Sequence, residues 1–391
     1  MGCALLKRIC GVARRECGIL RKNRMYLFCM VVFPVIVTVF FTSVMSEGQP
    51  VDMPVGVVDL DNTPTTRTLV RKLDAFQSTR VAASYANVAD ARRAIQRNEI
   101  YAFLYIPQGT TSELLSMRQP KISFYYSTAS YTAGALLFRD LKTISTLGSA
   151  SVGASLLEAK GLSEEQVMSF LQPVVVDLHM VNNPMVNYSV YLNTMLIPGC
   201  LMLFIFLVTA YSLGTELKFD SAKDWIKASG GNIFVALTGK LLPQTLTFLA
   251  IVYAYMFYVF GVLGFPHPGS TWFILLLGLL TVLSSQGFGV FVFGIVPSLR
   301  MSMSICCLWA VLSYSLSGTA FPLSAMDSEL KAIALLFPLR HYYMIYQLNI
   351  FNGYDISYSW PYVVVLAVFA ALPLLVAGRI KRNVLMYQYL P

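Results

Sequence analysis

The side chains that carry metal, redox or nucleophilic chemistry are thinly spread in this chain. Its three histidines stand at 179, 267 and 341, and its seven cysteines at 3, 10, 17, 29, 200, 306 and 307. A structural zinc site draws four Cys or His ligands from closely spaced pairs, and no second cluster completes one here. Cys3, Cys10 and Cys17 recur every seven residues, which places them on one helical face as inert positions. The nearest approach to a phosphate-cradling loop is Gly239-Lys240. Phe234 stands five residues before that glycine, and Leu241 occupies the place of the required Ser or Thr. There is no Gly-x-Ser-x-Gly elbow either. No catalytic set emerges, and the chain is not expected to be an enzyme.

Two polar segments stand out against this background. Residues 214–231 carry Glu216, Lys218, Asp220, Lys223, Asp224 and Lys227 among the apolar Leu217, Trp225 and Ile226. This is the composition of an amphipathic helix, either lying at a membrane surface with Trp225 as its anchor or presented to a cytosolic protein. Residues 321–345 hold Phe321-Pro322, Phe337-Pro338 and Arg340 around an apolar stretch too short to span a bilayer, which predicts a re-entrant hairpin.

The elements that position these segments are membrane helices. Of 391 residues 56% are hydrophobic and 13% charged, with mean hydropathy +0.61, against about 25% charged in soluble domains. Runs at 26–44, 192–213, 241–263, 272–296, 302–321 and 360–377 are each long and apolar enough to span. They hold no ionisable residue besides Cys and Tyr, so the chain lacks the intramembrane charges of ion-coupled carriers. If it moves a solute, the energy is expected from a partner and the solute is expected to be apolar or amphipathic.

The net charge of +9 is distributed by topology, which argues against nucleic acid as a partner. With the N-terminus inside, segments 1–25, 214–240, 297–301 and 378–391 hold 15 of the 29 Lys and Arg, about three times the density of the segments left outside the membrane. Both termini are then cytosolic. Residues 1–25 read as a basic amphipathic helix on the membrane surface, and 26–45 as an uncleaved first span. Residues 46–190, with 12 basic and 13 acidic residues and no cysteine, read as an extracytoplasmic α/β domain with a helical stalk. Its strands are expected near 55–60, 81–85, 100–106 and 122–126, with helices between them and from 131 to 171, then an extended piece at 173–180. Residues 191–391 form the remaining membrane domain. The fold class is thus an α-helical polytopic membrane protein of six transmembrane helices with that inserted domain.

Residues 55–62 (Val-Gly-Val-Val-Asp-Leu-Asp-Asn), 100–107, 183–188 (Asn-Pro-Met-Val-Asn-Tyr), Phe321-Pro-Leu and Phe337-Pro-Leu-Arg340 occur in an order that resembles the type-2 ABC exporter permeases. The resemblance covers nearly the whole chain. It implies a permease subunit of a bacterial inner (plasma) membrane exporter of drugs, lipids or similar substrates, seated on a cytosolic ABC ATPase that carries the ATP-Mg. It also implies a second permease subunit, as homo- or heterodimer, and allows a periplasmic adaptor; the chain itself binds no cofactor. Glu216 matches the leading Glu of the family's ATPase-contact motif, while residues 218–224 depart from its Glu-Arg-Gly-Thr, so Lys218, Asp220, Lys223, Asp224 and Trp225 carry over by position. Substitution of Glu216 or Trp225 is expected to uncouple hydrolysis from transport with folding intact. The competing reading is a non-transporting membrane-anchored sensor or envelope assembly factor acting through residues 46–190.

Overall fold

The structure is a computed structural model that describes residues 2–386 apart from 117, 119, 160, 162, 172–178, 180, 181, 184 and 185. All of the extended piece expected at 173–180 except residue 179, and the Pro-Met of the 183–188 motif, therefore lie outside the described residues. The chain opens with α1 (Gly2–Lys22) and the first span α2 (Arg24–Val44). An inserted unit follows: β1 (Met53–Asp59), α3 (Pro64–Asp74), β2 (Thr79–Ser84), α4 (Val88–Gln96), β3 (Ala102–Ile106), α5 (Thr110–Leu115), β4 (Ser123–Tyr126), α6 (Tyr131–Ala159) and α7 (Glu164–Leu171). Then come α8 (Tyr188–Lys218), α9 (Ala222–Ala228), α10 (Ile233–Val262), α11 (Thr271–Ile295), α12 (Leu299–Leu316), α13 (Ser328–Ala334), α14 (Pro338–Ile345) and α15 (Ile356–Met386). Contacts divide the chain into Met1–Ser46 with Met180–Pro391, and Glu47–His179.

Among the described residues, six helices (α2, α8, α10, α11, α12 and α15) are long and apolar enough to cross a membrane. The chain is a polytopic α-helical membrane protein. In α8 and α11 some 67% and 72% of the apolar window is buried, against 17–28% in the other four. Those two helices therefore form the centre, and the others turn apolar faces outward, as lipid requires. Close approach relies on glycine: a Cβ on Gly287 of α11 would fall 2.1 Å from the Phe369 carbonyl oxygen of α15. Side chains cap the span starts, with Asn187 accepting from the Ser189 and Val190 N–H groups and Ser270 from that of Trp272.

Several helices outrun their apolar windows, and two of them carry buried charges in doing so. α8 continues to Lys218 and α10 begins at Ile233, so Glu216 and Lys240 are helical and both side chains are buried. The runs 192–213 and 241–263 hold no charge, but the helices that contain them do, because a hydropathy window closes at the first charge whereas a helix continues wherever that charge is paired.

The inserted unit is a four-stranded sheet in the order β2-β1-β3-β4, with β1 parallel to β2 and β3 and only β4 antiparallel. Alternation along β1 and β3 sends Val55, Leu104 and Ile106 to one face and Val58 and Phe103 to the other. The first face is covered by Leu73 of α3 and by Leu137, Leu141 and Ile144 of α6. The first half of α6 is thus core of this unit rather than a free stalk. The second face packs on Ala91 and Ala94 of α4. The β1–α3 loop is fixed by its carboxylates. Asp59 Oδ1 accepts from the N–H groups of Asp61 and Asn62, while Asp61 reaches across to accept from Gly109 and Thr111 at the start of α5.

Candidate coupling site

The connector between α8 and α10 is a tight double turn around a seven-residue helix. Asp220 leaves α8 in a left-handed conformation (φ 50°), and Gly230 and Gly231 (φ 70° and 79°) reverse the chain after α9. α9 is amphipathic at helical spacing. Ala222, Trp225 and Ile226 are buried, whereas Lys223, Asp224 and Lys227 are exposed. Trp225 is fully buried and donates its indole N–H to the Ala236 carbonyl at 3.2 Å. It is a core residue, neither an interfacial anchor nor a presented contact. Its neighbours Leu213, Leu217, Ile233, Phe293 and Ile380 belong to the same apolar cluster, so the connector is packed against the ends of α8, α10, α11 and α15.

A buried ionic network lies beside it. Arg15 of α1 forms a two-pronged pair with Glu216, Nη1 to Oε1 at 2.7 Å and Nη2 to Oε2 at 2.9 Å. Lys240 Nζ donates to Glu216 Oε1 and to Glu16 Oε2, both at 2.8 Å. Ser221 Oγ donates to Glu216 Oε2 at 2.6 Å; Ser212 Oγ (3.1 Å) and Gln244 Nε2 (3.3 Å) donate to Glu16 Oε1. Two carboxylates thus face two cations with nearly every lone pair used, the condition under which a low-dielectric site holds charge. The Lys240 ammonium also stands 5.5 Å from the Trp225 ring centroid. The network binds α1, α8 and α10 together, and a Cβ at Gly239 would meet Val12 Cβ at 2.7 Å, so only glycine admits α1 this closely.

Of the residues singled out in sequence, Glu216 and Trp225 are turned inward, and Lys218, Asp220, Lys223 and Asp224 form an exposed rim. Phe219, 67% exposed between Lys218 and Asp220, sits on that rim and was missed. Its signal was an aromatic residue set between two charges at a helix end. Arg15, Glu16, Lys240 and Gln244 were missed as site residues too. Because Glu216 is committed to three side chains, its substitution is now expected to loosen packing, not to leave folding intact.

The second polar segment is a broken helix. α12 ends at Leu316, a short turn of 3₁₀ helix covers Leu323–Ala325, and α13 and α14 are separated by residues 335–337. Phe321 is half exposed and Pro322 leads into that turn. Phe337, buried against Trp309 with ring centroids 4.8 Å apart, precedes Pro338 in the first turn of α14. The carbonyls freed by the break are satisfied from outside the helix: Trp309 Nε1 donates to Leu336 O (3.3 Å), and His341 Nε2 pairs with Leu335 O (2.8 Å). Arg340 Nη1 donates to Ser317 O at 2.7 Å, tying α14 back to the end of α12.

Residues 24–379 match the family described as ABC-2 family transporter protein. The chain belongs to the ABC-2 transporter family. It is accordingly the membrane (permease) component of an ABC transporter, a component that works with an ABC ATPase. No curated protein matches the chain. In this ABC-2 permease the connector and α1 are joined into one body by the ionic network, and α14 is joined to the end of α12 by Arg340.

Proposed function

We propose that this ABC-2 permease is the membrane subunit of an exporter that moves a hydrophobic or amphipathic substrate out of the cytoplasm. A separate cytosolic ATPase powers it, docked on the rim formed by Lys218, Phe219, Asp220, Lys223, Asp224 and Lys227. A second permease subunit completes the pathway, the termini are cytosolic, and Glu47–His179 lies on the far side of the membrane. One observation carries the reading. The rim is the exposed edge of a connector whose inner side, through Trp225 and Glu216, is welded to α1, α8 and α10. A push on the rim is therefore transmitted to two spans and the leader helix together, with little lost in side-chain rearrangement. The apolar, uncharged middle of the spans favours an apolar solute.

The test is to express the chain with candidate cassette ATPases of its host, purify through the permease, and assay the complex in liposomes. The expected outcome is ATP hydrolysis by the complex only, with accumulation of a hydrophobic dye or lipid on the opposite side. ATP hydrolysis by the permease purified alone would overturn the reading.

A further inference from the structure

Residues 3–23 are three copies of a seven-residue unit: Cys-Ala-Leu-Leu-Lys-Arg-Ile, Cys-Gly-Val-Ala-Arg-Arg-Glu and Cys-Gly-Ile-Leu-Arg-Lys-Asn. On a helix, equivalent positions seven apart stay within about 20° of one line and are about 10.5 Å apart. The repeat therefore draws stripes along α1. Val12 and Glu16 are buried where α1 packs on α10, with Ile19 of the same stripe half-buried. On the flank away from that contact Leu6 (65% exposed), Cys10 and Cys17 form an uncovered apolar strip. Lys7, Arg14 and Arg21 run alongside it as an exposed row of cations.

We propose that this flank of α1 is a binding surface for anionic phospholipid headgroups. Three observations select that occupant. α1 passes at Asn23 directly into the first span, so its flank lies where the span meets the headgroup layer. Apolar strip and cationic row are adjacent, the arrangement that sinks one edge into acyl chains and holds the other at phosphate level. The row is also unneutralised: Glu16 is the single acidic residue from 2 to 25, and it is buried and committed to Lys240. Among the described ion pairs, the cations of α1 contribute only Arg15. Seated this way, headgroups hold the outer side of the helix whose inner side carries the network to Glu216, so lipid charge and the connector act on one element. The binding surface stands whether or not an ATPase docks on the rim.

The experiment uses the full-length protein in a non-ionic detergent at low salt. It is incubated with an equimolar mixture of phosphatidylglycerol and phosphatidylcholine of matched acyl chains. Lipid retained through size exclusion is then quantified by mass spectrometry. Wild type is expected to retain phosphatidylglycerol in excess, with each cation removed lowering the preference about five-fold. In the triple variant K7Q/R14Q/R21Q the excess falls sharply, while R14K/R21K keeps it. Raising ionic strength to 0.5 M should erode the wild-type excess, because the Debye length then shrinks well below 10 Å. Equal retention of the two lipids by wild type would overturn the proposal, as would an undiminished excess in a triple variant that melts like wild type. If instead the triple substitution abolishes co-purification of an ATPase and leaves the lipid ratio unchanged, the row is a protein contact and the proposal fails.

Discussion

Lys240 stands two turns into α10 with its ammonium between Glu16 and Glu216 and only 1% of its side chain exposed. Such a residue contributes little when compared with an apolar substitute for the whole group, but much when it alone is removed, because two buried carboxylates are then left to share Arg15. Lys240→Met is therefore expected to cost about 3–5 kcal/mol, read as a large fall in melting temperature of the purified protein. Glu16→Gln in the same background removes one of the stranded charges. The double variant should melt above Lys240→Met alone, and a double-mutant cycle should give coupling on the order of 1–3 kcal/mol. Strictly additive losses would show that the two side chains do not interact. Arg15, with its guanidinium raised further above its ordinary pKa by the hydrogen-bonded Glu216, stays charged throughout.

At the scale of elements, the inserted unit offers a contact whose pH dependence can be worked out. The carboxylate of Asp61, in the β1–α3 loop, accepts from the Thr111 hydroxyl and from the N–H groups of Thr111 and Gly109, which holds its pKa below the ordinary value. A lowered native pKa adds stability above the unfolded value of about 3.9, and that contribution is lost as pH falls through the native value. Asp61→Ala should therefore speed amide exchange across 109–115 at neutral pH. The gap between variant and wild type should close on acidification below about pH 4. A gap unchanged at pH 3 would refute the charge-based account. The strands and helices of this unit were legible because the short, nearly continuous apolar runs at 55–60 and 100–106, bounded by turn residues, differ plainly from the helical spacing at 66–76. The coupling site was legible only in part. Lys218, Asp220, Lys223 and Asp224 declared themselves as surface charges, but Glu216 and Trp225 look the same in a sequence whether they face in or out. Glu16 was hidden in a basic leader, though it is the one acid in a seven-residue repeat where Ile9 and Asn23 hold the equivalent places. Its partner Lys240 lay at the edge of an apolar window and was read as the end of a loop. Pairing across 224 residues leaves no local pattern.

At the scale of the whole molecule, the structure separates two ways of breaking coupled transport. Rim residues Lys223 and Asp224 are exposed, and none of the described hydrogen bonds engages their side chains, so their substitution should be nearly neutral for stability, within about 0.5 kcal/mol. Network residues Arg15, Glu216 and Lys240 hold α1, α8 and α10 in register, so their loss weakens the fold itself. If the rim is the docking face, Asp224→Lys and Lys223→Glu should leave the melting temperature unchanged yet lower both ATPase co-purification and transport. Glu216→Ala should lower melting temperature and transport together, while the ATPase is still captured through the intact rim at temperatures below the transition. The paired measurement, melting and capture for each variant, gives opposite signatures for the two groups. Capture unaffected by both rim reversals would remove the rim from the docking face. Loss of capture in Glu216→Ala at full folding would return that carboxylate to the contact itself, against its commitment to Arg15, Lys240 and Ser221 in the structure.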